Sequence, residues 1–96
     1  MKYNIPDRVL RDINKFAKAN DIEKVILFGS RARGTNTAKS DIDLAVHGGD
    51  ALNFYYDLEE EAYTLLMFDV VNLDDYISEE LKKNIEKEGL VIYGKI

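Results

Sequence analysis

Asp41 and Asp43 stand two apart in the run SDIDLAV, where Ile42, Leu44 and Val46 alternate with Asp41, Asp43 and Ala45. Alternation of this kind is the period of a strand, and residues i and i+2 then share a face, roughly 7 Å apart. Both carboxylates project together while Ile42 and Leu44 turn toward a core. Two like charges so placed repel, and burying either one unpaired is costly. A divalent cation removes both costs, and Mg²⁺ favours carboxylate oxygens together with substrate phosphates and retained water. Asp69, between Phe68 and Val70, is a third candidate. If its strand lies beside the first with the carboxylate on the same face, three acids converge. Such a cluster could hold two metals about 4 Å apart, an arrangement that serves in-line displacement at phosphorus. The register is open at this stage, and a surface position or an ion pair with Arg31 or Arg33 is the competing reading of Asp69. Asp74, Asp75 and Glu59-Glu60-Glu61 are further acids, on expected helix or loop surface.

Gly29-Ser30 directly follows the apolar run Val25-Ile26-Leu27-Phe28. Glycine permits close backbone approach, and exposed N–H groups in a turn form an anion-binding concavity. Ser30 adds a hydroxyl, and Arg31, Arg33 and Lys39 bring positive charge to the same loop. Arg31 and Arg33 suit phosphate binding or simple offset of the acids, while Lys39 reads as a solvated lysine. The GxxxxGK[ST] pattern of a Walker loop is absent.

These residues need elements to carry them. Pro6 and Asp7 suit a helix first turn, and Val9, Leu10, Ile13, Phe16 and Ala17 fall at helical spacing, giving a helix over residues 6–19. Val25 to Phe28 is a buried strand, residues 29–40 a loop with room for one helical turn, and residues 41–46 a second strand closed by His47-Gly48-Gly49. His47 reads as a surface residue. Residues 52–66 form a second helix, on which adjacent Tyr55 and Tyr56 cannot both face one core, so one marks an interface. Residues 68–71 make a third strand, residues 78–88 a third helix stopped by Gly89, and residues 90–93 a last strand at a sheet edge.

The chain has 96 residues, 46% hydrophobic and 32% charged, the composition of one globular domain over residues 1–96. A domain this small has little stability to spare, so a homo-oligomer or a partner would support it. The lack of cysteine excludes disulfides and thiolate metal sites. The N-terminal MKYNIPDRVLRDIN lacks the apolar core of a signal peptide, and no segment reaches membrane-spanning length, which gives a cytoplasmic expectation. A net charge of −5 argues against gripping a long nucleic acid, whose phosphates are tracked by basic surface. A single nucleotide held through a metal remains open.

Gly29-Ser30, ten intervening residues and then Asp41-Ile42-Asp43 resembles the GS-x10-DxD signature of the minimal nucleotidyltransferases, a branch of the DNA polymerase β superfamily. The extended match runs from GSRARG to SDIDLAV, and the similarity covers nearly the whole chain, including the FDVV strand. The resemblance implies an α/β (α+β) fold like a polymerase β palm, a mixed sheet of about four strands with helices packed on one face. It implies that Asp41 and Asp43 coordinate Mg²⁺ bridging a triphosphate, that Gly29 and Ser30 hold its phosphates, and that Asp69 ligates a second metal and helps deprotonate the acceptor. The implied reaction transfers AMP from ATP to a hydroxyl. The implied acceptor is a tyrosine of a helical HEPN toxin, with this chain as antitoxin. A non-catalytic antitoxin acting by contact, and adenylylation of a small molecule, are the alternatives.

Overall fold

The computed structural model describes residues 3–94. Eight elements follow in order: α1 (Asp7–Ala19), β1 (Lys24–Phe28), α2 (Ser30–Arg33), β2 (Ile42–His47), α3 (Ala51–Glu61), β3 (Phe68–Asn72), α4 (Glu79–Glu88) and β4 (Leu90–Gly94). The four strands form one sheet in the order β3-β2-β1-β4. β1 pairs antiparallel with both β2 and β4, whereas β2 and β3 run parallel. A parallel pair cannot be closed by a tight turn, and α3 supplies the crossover. The expected mixed four-stranded α+β architecture is present, with β4 at an edge. No helix among the described residues is long and apolar enough to cross a membrane.

The main core lies between one sheet face and the helices α1 and α3. Val9, Ile13, Phe16 and Ala17 of α1 and Phe54 and Leu58 of α3 pack on Val25, Leu27, Ile42, Leu44 and Phe68. Helices do not stay on that face alone, as the sequence reading expected. Ile85 of α4 packs with Phe28 and Ala45 on the opposite face, joined by Ile26, Val71, Leu73, Ile77 and Leu81. The reason is in the run VILF: its side chains are apolar on both sides, so both faces of β1 need cover.

Local chemistry sets the helix ends. Asp50 accepts from the Asn53 N–H and Ser78 from the Leu81 N–H, each satisfying a donor that the first turn leaves open. Gly89 does end α4, but in extended rather than left-handed backbone. A side chain there would collide with Ile26 and the Ile85 carbonyl, so close approach is what demands glycine. α3 stops at Glu61, five residues before its expected end at residue 66. Ala62 turns to extended backbone, and the next N–H, of Tyr63, donates to Asp12 of α1 at 2.9 Å. A long-range acceptor thus replaces the helical one, and Tyr63, Leu65 and Met67 are left exposed.

Candidate active site

β2 carries Ile42, Leu44 and Val46 into the main core, so Asp43 points to the other face. In the parallel pairing Asp43 is the register partner of Asp69, and on its other side it opposes Phe28 of β1. Directly beyond Phe28 the chain turns at Gly29, whose φ of 75° lies in the left-handed region that glycine enters freely. A Cβ at Gly29 would strike the Asp43 carboxylate at Oδ2. The turn and the acid are therefore packed against one another with no room for a side chain between them. Ser30 follows at once as the first residue of the single-turn α2, whose early N–H groups have no intrahelical acceptor. Gly29, Ser30, Asp43 and Asp69 are thus brought to one end of one sheet face, with exposed Asp41 just ahead of β2.

The charges interact. Partial burial raises the pKa of the Asp43 carboxyl, the neighbouring charges of Asp69 and Asp41 push it further up, and Arg33 pulls it back. Asp43 is thus the shared neighbour of both other acids. Among the described residues no three acid or histidine side chains are gathered closely enough to hold a metal ion together. Asp43 is half-buried, and Asp41 and Asp69 are exposed beside it. An oxygen-only donor set of this kind fits Mg²⁺, which takes one or two carboxylates and fills its remaining positions with water and phosphate.

The two arginines part company. Arg33 is half exposed and ion-paired with Glu88 of α4 at 3.0 Å, close enough to Asp43 for its charge to be felt there. Arg31, expected beside it at the phosphates, has its guanidinium committed elsewhere. It is 4% exposed, and it donates to the carbonyls of Asn4 at 2.6 Å, Ser40 at 3.0 Å, Ala38 at 3.3 Å and Thr37 at 3.4 Å. Three of those carbonyls belong to the loop between Gly34 and Asp41, and Ser40 is the residue before Asp41. Arg31 thereby fixes the connection that sets the ten-residue spacing. Lys39 is exposed, as expected. His47 is exposed too, but it has partners: its Nδ1 lies 2.5 Å from Asp74 and its Nε2 3.4 Å from Glu23.

Two features escaped the sequence reading. The role of Arg31 leaves no side-chain signature, because its acceptors are all backbone carbonyls. A groove of about 350 Å³ beside Asp69, lined by Leu52 and Tyr55 of α3 and Phe68, Val70 and Asn72 of β3, depends on how α3 crosses β3.

Comparison with known proteins places this geometry. Residues 11–95 match the family described as "Polymerase beta, Nucleotidyltransferase". Among known sequences the chain is similar to "Putative protein adenylyltransferase MJ0604" of Methanocaldococcus jannaschii, 32% identical over 79 residues that cover 75% of this chain and 79% of that protein. Among solved structures it is similar to a chain of a toxin–antitoxin complex with AMP-PNP, with a TM-score of 0.73 and 26% identity over 90% of this chain and 73% of the other. The MntA–HepT toxin–antitoxin shares the fold, with a TM-score of 0.62 at 22% identity over 94% of this chain and 74% of its own. The glycine turn, the carboxylate pair and the sheet that joins them belong to a nucleotidyltransferase: the chain is a member of the polymerase β nucleotidyltransferase family.

Proposed function

We propose that the chain transfers AMP from ATP to a hydroxyl on a partner protein, and that by this modification it serves as the antitoxin of a toxin–antitoxin pair. The observation that carries the reading is the seating of Gly29 against Asp43, with Asp69 beside Asp43 in register. A glycine turn and a carboxylate set thereby share one end of the sheet. The similarity to a protein adenylyltransferase and to a toxin–antitoxin chain solved with AMP-PNP supports the donor and the setting.

In this reading the Gly29-Ser30 backbone and the Ser30 hydroxyl hold the β and γ phosphates, and Arg33 contributes charge from the rim. Asp41 and Asp43 would hold Mg²⁺, with Asp69 completing the set. When bound, the ion supplies charge neutralisation on the triphosphate and geometry for in-line attack. The acceptor oxygen forms a bond to the α-phosphorus and the bond from that phosphorus to the bridging oxygen breaks. Pyrophosphate carries away the electron pair, and Asp69 takes the hydroxyl proton. Alignment and charge stabilisation carry most of such a transfer, which suits a site with few side chains. Arg31 acts as a positioning residue that holds Ser40, and with it Asp41. A tyrosine of a HEPN-type partner is the proposed acceptor, and the cytoplasm the proposed compartment.

The test incubates the protein with Mg²⁺, ATP and the product of the neighbouring gene, followed by intact-mass measurement of both chains. The expected result is a Mg²⁺-dependent AMP adduct on the partner that the Asp41→Asn protein does not produce. A stable complex without adduct, which still silences the partner when Asp41 and Asp43 are both Asn, would overturn catalysis in favour of neutralisation by contact.

A further inference from the structure

We infer that the open edge of β3, with the groove between β3 and α3, is the docking surface for the acceptor, and that it takes an extended, basic polypeptide segment presenting a hydroxyl side chain to Asp69. The inference rests on the nucleotidyl-transfer reading above and specifies where and by what chemistry the acceptor is recognised.

Three observations converge. First, β3 is an edge strand, so one row of its backbone N–H and C=O groups faces away from the sheet. An edge of this kind is a template for an added strand, where main-chain bonds give affinity and grooves for alternate side chains give selectivity. The groove of about 350 Å³ lies beside this edge on the α3 side and counts Asp69 among its lining residues, while the Asp69 side chain shares the opposite face with Asp43, so a strand added to β3 comes alongside Asp69.

Second, apolar surface is concentrated here. Phe54 and Leu58 of α3 are fully buried, yet Leu52 and Tyr56 of the same helix are 63% and 51% exposed, four residues apart and therefore neighbours. Met67, at 58%, leads into β3, with Leu65 and Tyr63 before it. Tyr55 and Tyr56 stack at a tilt, with ring centroids 5.8 Å apart, the first ring lining the groove and the second outside it.

Third, the charged residues that line the groove are acidic. From Gly48 to Leu81 the chain has ten acidic residues and no Lys, Arg or His. All 13 Lys and Arg residues lie outside that span, although the net charge of the whole chain is only −5. The acids include Asp57 and Glu59 to Glu61 on α3 and Asp69 and Asp75 at the groove. At the groove itself the charged lining residues are Asp69 and Asp75, with Arg8 over the Tyr63 ring as the neighbouring cation, so the lining favours a cationic segment.

The probe is a pair of peptides of equal length around a single tyrosine, one flanked by Lys and Arg, the other by Glu. AMP transfer from Mg–ATP is read by mass, and Mg–ATP affinity by calorimetry. The wild-type protein is expected to modify the basic peptide at least tenfold faster than the acidic one, with the preference shrinking as salt is raised. The double variant Leu52→Lys, Asp75→Lys is expected to lose at least tenfold on the basic peptide and to gain on the acidic one, with Mg–ATP affinity unchanged. That exchange of preference is a readout that a destabilised fold would not give. Equal rates on the two peptides overturn the inference. So does a parallel loss of Mg–ATP affinity in the double variant, which would give the groove to the nucleotide, or a wild-type dimer that this variant dissociates. If the wild type binds Mg–ATP but modifies neither peptide, the docking inference falls and nucleotidyl transfer stands. If it does not bind Mg–ATP, both fall.

Discussion

β2 ends in two contrasting places on one face of the sheet. At its start, Asp43 meets two other acids and a glycine turn, and its carboxyl is held above its ordinary pKa. At its end, His47 meets Asp74, which accepts from the Gly48 N–H at 2.7 Å and contacts His47 Nδ1, and this carboxyl is held below its ordinary pKa. The same side chain is frustrated at one end and satisfied at the other. A carboxylate given donors contributes to the fold, whereas one that is partly buried and pressed against its own kind costs stability until a cation or a substrate arrives. The arginines repeat the contrast, since buried Arg31 is saturated by carbonyls while Arg33 stays at the rim with Glu88.

The largest effect that would break the comparison is at Asp43. Asp43→Asn is expected to reduce AMP transfer on the order of 10³-fold by removing charge that the transition state needs. The same change is expected to raise the Tm of the metal-free protein. A folded pKa above the ordinary value means that ionising Asp43 weakens the fold as pH rises from the ordinary carboxylate range through the raised value. Scanning calorimetry against pH checks this, since the gap between variant and wild type should open across that window and close in stronger acid. A variant less stable than wild type at neutral pH would make Asp43 a structural residue like Asp74.

Arg31 gives the next effect. Arg31→Met leaves the carbonyls of Asn4, Thr37, Ala38 and Ser40 short of a charged donor, and should cost about 2–3 kcal/mol of stability in urea unfolding. If stability held while Mg–ATP affinity collapsed, Arg31 would be a phosphate ligand after all. The smallest effect is at Asp74. Its depressed pKa contributes stability that is present above the ordinary carboxylate range and is lost as pH falls through the depressed value. Asp74→Asn should therefore lower Tm slightly at neutral pH and leave it equal to wild type in strong acid, with AMP transfer intact.

Much of the site was legible because it is held by covalent spacing. Gly29-Ser30 and Asp41-Ile42-Asp43 are joined by ten residues, and their types alone state the chemistry. Asp69 could be nominated from its apolar flanks but not placed, since its neighbour is chosen by the parallel register with β2. The end of α3 was hidden for a similar reason: the acceptor for Tyr63 lies on α1, 51 residues back. The position of α4 was written in VILF, where both alternating sets are apolar, but a run of four does not announce which element covers which side.

The parallel pairing of β2 with β3 also bears on when the site exists. Asp43 and Asp69 are separated by the whole α3 crossover, and they become neighbours only when an edge strand zips onto an inner one. Edge strands open at lower free energy than the centre of a sheet, and β3 is one of the two edges. Detachment of β3 alone would carry one carboxylate away while the antiparallel β2-β1-β4 unit persisted. Amide hydrogen exchange should therefore rank Val70 and Val71 below Val25 and Leu44 in protection, and a ligand bridging the acids should narrow that gap. A ligand that bridges the acids would thus also hold an edge strand onto its neighbour.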